Sequence, residues 1–313
     1  MANNEQYRTY CDTHRADVPL FYQDWWLDAA VGPDRWQGLV SASTFEDKAA
    51  IMPVVATRKW GLPTIRRPPL TTYQGPWWAG FQNLATGQQV ALIQQLWPEL
   101  IDQLPQVSHF HQTLFPGLTY AFPFQERGYQ LGVRYTYTLD LRPPAAQIFQ
   151  NFRRDVQRKI RQYGPDSEVV TSTDLASFLP LAEAVYARQG LPLPYRQATL
   201  TALFQAAYQR QQARLFVLHH RTEGLVGGLV VFFDAERVYL LQSGISAAGR
   251  KTGAFQVLVW AALQHFGPSH QVFDFCGSMI PGIADRNRSL GAVVEVFLEV
   301  RKRKKILKLI QSL

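Results

Sequence analysis

Asp274 is the acidic side chain whose neighbours in the sequence most favour chemistry. It lies in an apolar segment, residues 272–275, typical of a short buried strand, and Cys276, Gly277 and Ser278 follow directly. A carboxylate buried beside a cleft can have a raised pKa and act as a base. It can equally accept hydrogen bonds from the backbone N–H groups of the following loop. The sequence leaves both roles for Asp274 open.

Basic residues form two clusters in a chain with net charge +8. The first cluster is Arg153, Arg154, Arg158, Lys159 and Arg161, and the second is Arg301, Lys302, Arg303, Lys304, Lys305 and Lys308. Solvated helix faces explain such clusters as well as anionic partners do. Arg153, Arg154 and Arg158 are our candidates for binding phosphate, either of a nucleotide-linked acceptor or of tRNA. The second cluster opens an amphipathic segment, predicted either to pack on its domain or to meet acidic lipid.

Two further segments carry binding candidates. Arg250, Lys251 and Gly253 precede an apolar helical segment, and N–H groups at a helix start favour an anion such as phosphate. Residues 61–80 are rich in proline and glycine, so we expect no regular element there. This loop contains Tyr73 and Trp77, which either bind substrate or pack on their own domain.

Other motifs are weak. His109 and His111 share one face of a predicted strand, but no acidic or third histidine partner is evident, so we expect no metal site. Gly277-Ser278 lacks the Gly-x-Ser-x-Gly pattern of a nucleophile elbow. Cys276 has no neighbour that visibly lowers its pKa, which favours a small buried thiol over a nucleophile.

The composition predicts a globular protein of two domains. The chain has 313 residues, of which 47% are hydrophobic and 18% charged. Residues 1–14 lack the apolar core of a signal peptide, and no apolar run is long enough to span a membrane. The two cysteines, Cys11 and Cys276, do not form a disulfide framework. We therefore expect a cytoplasmic location.

Hydrophobic periodicity predicts the elements that would position these residues. The predicted helices are 19–30, 88–104, 143–163, 175–189, 195–211, 252–266 and 302–313. The predicted strands are 36–42, 49–57, 107–112, 130–141, 168–171, 214–220, 225–233, 238–242, 272–275 and 293–300.

The two halves of the chain end in the same order of elements. Each has a helix, a short strand, an irregular stretch with proline, a glycine (Gly128 or Gly291) and a final strand. The long period indicates domain duplication rather than a solenoid. The predicted domains are 1–142 and 143–313, the second with a basic linker helix and a C-terminal helix.

Several motifs carry a family resemblance. The stretches 273–278 (FDFCGS), 281–283 (PGI) and 287–292 (NRSLGA) together resemble the signature of the FemABX-like branch of the GNAT acyltransferases. The basic helix 152–161 resembles the one that opens the second unit of those proteins, and residues 72–76 (TYQGP) resemble a loop of their first unit. The resemblance covers most of the chain. It implies an α/β fold with mixed sheets, in two tandem GNAT-like (acyl-CoA N-acyltransferase fold) units, the first degenerate.

The resemblance also implies roles for residues. In GNAT folds the fourth and fifth strands part, and the acyl group lies in the gap. Here Gln242, Ser243 and Gly244 would border the gap on one side, with Asp274 and Ser278 on the other. Arg250, Lys251 and Gly253 would meet the cofactor pyrophosphate. Asn287 stands where many members have a charge-stabilising lysine, and Arg286 or Arg288 can supply a cation instead.

The implied function is N-acyl transfer. The donor would be acyl-CoA or aminoacyl-tRNA, used as a co-substrate without a tightly bound cofactor. The acceptor would be an amine of a small molecule or peptide, nucleotide-linked or not, as in bacterial cell-wall precursors. The candidate catalytic residues are Asp274, Ser278 and Asn287, and the candidate substrate-binding residues are Arg154, Arg158, Tyr73 and Trp77. The alternative is a catalytically inert GNAT-like protein that binds a phosphorylated or cell-wall-precursor ligand. The sequence does not decide whether the protein binds tRNA or makes peripheral contact with the membrane surface.

Overall fold

The computed structural model describes residues 4–59, 61–163, 166–277 and 279–303. They form two compact units. The first contains the residues up to Arg134 and those from Val296 onward, and the second contains Tyr135–Glu295. The boundaries of these units differ from those of the predicted domains, 1–142 and 143–313. Residues 135–142 lie in the second unit, and residues 296–303 lie in the first. Within the described ranges, no helix is both long and apolar enough to cross a bilayer.

The first unit is built from short helices around two sheets. Its helices are α1 (Glu5–Thr13), α2 (Asp24–Val31), α3 (Thr86–Asp102) and α4 (Phe122–Glu126). Its strands are β1 (Gln37–Phe45), β2 (Lys48–Val54), β3 (Ala56–Lys59), β4 (Leu62–Arg66) and β5 (His109–Thr113), with the start of β6 (Gln130–Asp140). β1 and β2 form a hairpin whose turn residues, Glu46 and Asp47, have positive φ. Large apolar side chains such as Trp97 and Phe110 fill the core.

The second sheet of the first unit has a parallel pair at its centre. β3 and β4 are antiparallel, β4 and β5 are parallel, and β5 pairs antiparallel with residues 299–303 of the last strand, β12 (Val293–Arg303). β4 corrects our expectation of no regular element in residues 61–80. Pro63 lacks an N–H, but its carbonyl accepts a hydrogen bond from Ser108 N at 2.9 Å, and the following Thr64 and Ile65 are buried.

The second unit is a mixed sheet with helices packed on it. Its helices are α5 (Ala145–Gln150), α6 (Arg154–Gln162), α7 (Leu175–Ala187), α8 (Gln197–Gln209), α9 (Ala247–Thr252), α10 (Ala254–Phe266) and α11 (Pro281–Ser289). Its strands are β7 (Ser167–Ser172), β8 (Ala213–His220), β9 (Gly224–Phe233), β10 (Arg237–Ile245) and β11 (Val272–Asp274), with the end of β6. Across this sheet the order is β6-β11-β10-β9-β8-β7. α10 packs its buried residues, among them Leu258 and Val259, into one large apolar core.

Four predicted helices differ from those observed. Helix 19–30 is a 3-10 turn at Leu20–Tyr22 followed by α2, which begins only at Asp24. Helix 143–163 is divided into α5 and α6, and helix 252–266 begins after Gly253, whose φ of +86° ends α9. Residues 302 and 303 of the predicted C-terminal helix continue strand β12 instead. The rest of that helix, residues 304–313, lies outside the described residues.

Each unit repeats one arrangement of three strands. In the first, the parallel pair β4–β5 is followed by β12, and in the second the parallel pair β10–β11 is followed by β6. The closing strand of each sheet therefore comes from the other half of the sequence. The α/β fold class and the duplication are as predicted, and this exchange of closing strands was not.

Candidate active site

The parallel strands of the second unit part where the resemblance implied a gap. β10 and β11 pair only from Arg237 and Val272 to Tyr239 and Asp274. Beyond that point β10 continues beside β9 as far as Ile245, whereas Phe275 donates its N–H to Tyr137 O. The side of β10 that β11 no longer covers is the candidate acyl-transfer cleft.

The predicted residues on β10 lie beyond this parting point, and two of them have structural partners. Gln242 is buried, and its Oε1 accepts a hydrogen bond from the Tyr195 hydroxyl at 2.7 Å. A Cβ at Gly244 would lie 2.7 Å from Ala182 N, so glycine here permits α7 to touch the strand backbone. Ser243 is half-buried between them. Cofactor binding by these three residues stays a prediction.

Asp274 is completely buried in a network of hydrogen bonds. Its carboxylate accepts from Thr136 Oγ1 at 2.6 Å, from Cys276 N at 2.7 Å and from an Arg237 guanidinium nitrogen at 2.9 Å. Arg237 also binds Glu295 at 3.0 Å. Burial alone would lower the pKa of Arg237, but the two carboxylates more than offset it, so the pKa is raised. A carboxylate committed to these donors favours a structural role, in which Asp274 fixes the turn at Cys276 and Gly277.

Asn287, at the position predicted to stabilise charge, lies on helix α11. The sequence analysis did not predict this helix. Asn287 is fully buried, and in the described structure its Nδ2 has no hydrogen-bond partner. Its Oδ1 accepts from the Arg286 guanidinium at 3.3 Å. The third predicted catalytic residue, Ser278, lies outside the described residues.

Of the two arginines that flank Asn287, only Arg286 points inward. Its guanidinium carbon lies 3.8 Å from the centre of the Phe255 ring, on the first turn of α10. Burial lowers the pKa of Arg286 to about 10, which leaves it charged at neutral pH. Arg288 is exposed and lies 3.8 Å from Asp285. Of these two arginines, Arg286 is therefore the one that lies against the first turn of α10.

A cavity of about 520 Å³ brings two of the predicted sets together. Arg158 and Lys159 of α6 line it with Lys251 and Thr252 of α9. The other lining residues are Gln162, Tyr163, Asp166, Ser167 and His220. Arg158, Lys159 and Lys251 form no ion pair within the described part of the chain, and Asp166 lies 3.8 Å from Arg221. The cavity has three unpaired cations and one carboxylate, so it favours an anion.

The remaining predicted basic residues point elsewhere. Arg154 and Arg250 are exposed and do not line the cavity. Gly253 shapes the junction between α9 and α10 through its backbone, because its positive φ ends one helix before the next begins. A Cβ at this position would lie 3.2 Å from the Lys159 side chain. Gly253 thereby lets α6 approach this junction closely.

Tyr73 and Trp77 belong to the first unit, where both rings are buried. Tyr73 packs edge-on against Phe115 and Phe297, and Trp77 Nε1 donates to Asp17 O at 3.0 Å. Neither ring offers surface to a substrate. This geometry favours the alternative that the loop packs on its own domain, and substrate binding by Tyr73 and Trp77 stays an untested prediction.

Sequence reasoning missed Glu299, the acidic partner of His111. Its Oε2 lies 2.9 Å from His111 Nε2. The two residues are 188 positions apart, and only the pairing of β5 with β12 brings them together. Among the described residues, no group of three or more His, Cys, Asp or Glu side chains is arranged to hold a metal ion.

Comparisons with known proteins identify the fold. Residues 150–282 match the model of the acetyltransferase (GNAT) domain. A search of curated proteins finds no matching sequence. The crystal structure of FemX is similar with a TM-score of 0.68 and 11% identity, over 95% of this chain and 96% of that chain.

Two further solved structures share this fold over almost the whole chain. L-PGS from Bacillus licheniformis has a TM-score of 0.57 and 11% identity, over 97% of this chain and 92% of that chain. The C-terminal domain of a putative lysylphosphatidylglycerol synthetase from Agrobacterium fabrum has a TM-score of 0.55 and 10% identity, over 99% and 96%. The comparisons therefore show that the chain has the fold of FemX and that residues 150–282 are similar to the GNAT acetyltransferase domain.

Proposed function

We propose that the protein is an N-acyltransferase that takes an acyl or aminoacyl group from a phosphate-bearing donor and transfers it to an amine. The donor is an acyl-CoA thioester or an aminoacyl-tRNA. The cavity lined by Arg158, Lys159 and Lys251 carries this proposal, because both kinds of donor present phosphates.

The local geometry supports phosphate binding at this cavity. Lys251 and Thr252 end α9, and α10 begins two residues after Thr252, at Ala254. The first N–H groups of a helix have no intrahelical acceptor and carry partial positive charge. α10 is 13 residues long, so its dipole adds to the charge of the three basic side chains.

Arg286 supports the chemical step. When an amine attacks an acyl carbon, negative charge develops on the carbonyl oxygen, and a fixed donor next to that oxygen lowers the barrier. Arg286 is held over Phe255, and Asn287 presents an unpartnered Nδ2 within the described structure. We assign to this pair the role that the resemblance gives to a lysine at position 287.

The alternative, a catalytically inert protein that binds a phosphorylated or cell-wall-precursor ligand, would use the same cavity. One specific observation favours it, namely that Asn287 carries no charge where related enzymes are implied to have lysine. Turnover separates the two functions, since only the enzyme forms a new amide.

The test offers labelled acetyl-CoA and, separately, charged tRNA to the protein with a panel of amines. We expect amide formation with one donor. Arg158→Glu and Lys251→Glu should each raise the KM for that donor by about tenfold or more, which corresponds to ~1.4 kcal/mol of binding free energy. Arg188→Glu, an equal charge change on an exposed arginine outside the cavity, is the matched control.

Two results would argue against the enzyme. No transfer from either donor, together with thermal stabilisation by coenzyme A or a nucleotide sugar, would support the inert binding protein. Unchanged KM values for the donor in both cavity variants would show that the cavity does not bind the donor.

A further inference from the structure

Basic side chains line one face of the β3–β4–β5–β12 sheet in the first unit, which we call the basic face. Alternate residues of each strand point to this side. Across β4, β5 and β12 its first row is Arg66, His111 and Arg301, and its second row is Thr64, His109 and Arg303. On β3, Lys59 lies two positions from Thr57, whose hydroxyl is 2.9 Å from that of Thr64. Lys59 therefore belongs to the same face.

The basic face has a buried floor and an exposed rim. Thr64, His109 and Glu299 are buried. The exposed basic side chains above them are Lys59, Arg66, Arg301 and Arg303. Arg66 forms no ion pair with any residue that the structure describes. The face thus presents a layer of guanidinium and ammonium groups to solvent.

Cations outnumber carboxylates among the charged groups that act on this face. The cations are Lys59, Arg66, Arg67, Arg134, Arg301 and Arg303. The carboxylate is Glu299, which contacts His111 Nε2 at 2.9 Å and the Arg301 guanidinium. Counting these groups alone, with both histidines neutral, six cations and one carboxylate leave a net charge of +5.

The two histidines report the positive potential of the basic face. Burial, aided by Arg66 and Arg303, lowers the pKa of His109 to about 4. Burial also lowers the pKa of His111, although Glu299 opposes it. Both imidazoles are therefore neutral at neutral pH. A surface that disfavours protons on its own histidines favours an anionic partner.

The types and spacing of the cations indicate phosphate groups, and several of them at once. Five of the six cations are arginines, whose guanidinium stays charged and matches phosphate oxygens bidentately. Neighbouring strands lie about 5 Å apart, and the two rows lie about 7 Å apart along the strands. These distances are within one Debye length, which is about 8 Å at physiological ionic strength. The cations therefore act together on an extended array of phosphates.

Two observations favour a lipid surface over RNA as that array. No exposed Phe, Tyr or Trp among the described residues lies on β3, β4, β5 or residues 299–303, so the bases of single-stranded RNA would have no aromatic ring to stack on. In the sequence, Arg303 is followed by the basic residues Lys304, Lys305 and Lys308 and by the apolar residues Ile306, Leu307, Leu309 and Ile310. Cations serve RNA and anionic lipid alike, whereas apolar side chains next to cations are typical of segments that bind a lipid surface.

We propose that the basic face is the surface with which the protein binds a membrane that contains anionic phospholipid. The lipid phosphates lie against Lys59, Arg66, Arg301 and Arg303. This inference does not depend on acyl transfer, because the described residues that carry it belong to the first unit and the donor cavity belongs to the second.

The test measures cosedimentation of the full chain with vesicles of phosphatidylcholine, with and without phosphatidylglycerol. We expect binding only to vesicles that contain phosphatidylglycerol, and its loss at high salt. Each basic residue near an anionic surface strengthens binding about fivefold, so the triple variant Lys59→Gln/Arg66→Gln/Arg303→Gln should bind about a hundredfold more weakly. The matched control, Arg188→Gln/Arg210→Gln/Arg221→Gln, removes three exposed charges of the second unit and should bind as wild type does.

A second measurement uses unmutated protein and is independent of whether the variants fold. Phosphatidylglycerol vesicles should slow the modification of His111 by diethyl pyrocarbonate, located by mass spectrometry, because the imidazole is 28% exposed in the free protein. Modification of His219, an exposed histidine of β8, should be unchanged.

Four results would overturn the inference. They are no binding to phosphatidylglycerol vesicles, equal weakening in the two triple variants, unprotected His111 in vesicle-bound protein, and tighter binding of the basic face to an RNA duplex than to the vesicles. Equal protection of His111 by inorganic phosphate at the same phosphate concentration would also overturn it, since the face would then bind a single small anion. None of these results bears on the proposed function, which transfer from the two donors tests separately.

Discussion

The ion pair between Arg237 and Asp274 should be a main determinant of the second unit's stability. The Arg237 side chain is 10% exposed and the Asp274 side chain 0%, and Glu295 shares the guanidinium. Arg237→Met removes the cation but keeps much of its apolar volume. Glu295 is 30% exposed and can turn to water, whereas the buried Asp274 retains its hydrogen bonds from Thr136 and the Cys276 N–H but loses its cation.

The magnitude follows from what Asp274 loses. Breaking a buried ion pair by removing one partner leaves an uncompensated charge and costs about 3–5 kcal/mol. Asp274→Asn removes the other charge, and Arg237 retains Glu295, so we expect a smaller loss of about 1–3 kcal/mol. The double variant contains no unpaired buried carboxylate. Its loss should fall short of the sum of the single losses by 1 kcal/mol or more, on the order of couplings between contacting residues.

The assay must report on the second unit alone. Hydrogen exchange of peptides from residues 224–245, measured in a urea series, gives the free energy of opening β9 and β10. Arg221→Met, an equal change on a side chain that is 82% exposed, is the control. A loss below about 1 kcal/mol for Arg237→Met, or strict additivity in the double variant, would show that the network does not hold the sheet.

Two further predictions concern protonation and packing. Burial, with Arg66 and Arg303 nearby, lowers the pKa of His109 to about 4, so the unfolded chain binds more protons between that pH and about 6.5. Stability should therefore fall as pH falls through this window, and urea titrations at several pH values should show a shallower fall in His109→Gln. Gly244→Ala would place a Cβ 2.7 Å from Ala182 N and should cost about 1–3 kcal/mol, whereas Gly282→Ala, with nothing within 4 Å, should not; thermal melting compares them.

The sequence predicted those parts of the fold that depend on local patterns. The meander β8–β9–β10 and helix α3 appear within a few residues of the predicted bounds, because nearly continuous apolar runs mark the buried strands and helical apolar spacing marks α3. α11 was missed because its sequence, PGIADRNRS, is polar and has no apolar stripe. The helix depends on contacts from elsewhere, such as the hydrogen bond from Arg153 N to Ser289 O.

The candidate site was predictable in its residue types but not in its pairings. Arg158 and Lys251 were both singled out, yet nothing in their spacing showed that they share a cavity. Asp274 contacts Thr136 across 138 positions and His111 contacts Glu299 across 188. Such contacts follow from strand exchange, which no local pattern encodes.

The exchanged closing strands also constrain biosynthesis. β5 of the first unit pairs with residues 299–303, which are synthesised long after β5 itself. The first unit cannot complete its sheet until residues 299–303 have been made, although most of its chain is synthesised earlier. The second unit receives residues 138–140 of β6 before its own strands are made. Vectorial folding therefore favours the second unit, because all of its residues are made before those that complete the sheet of the first unit.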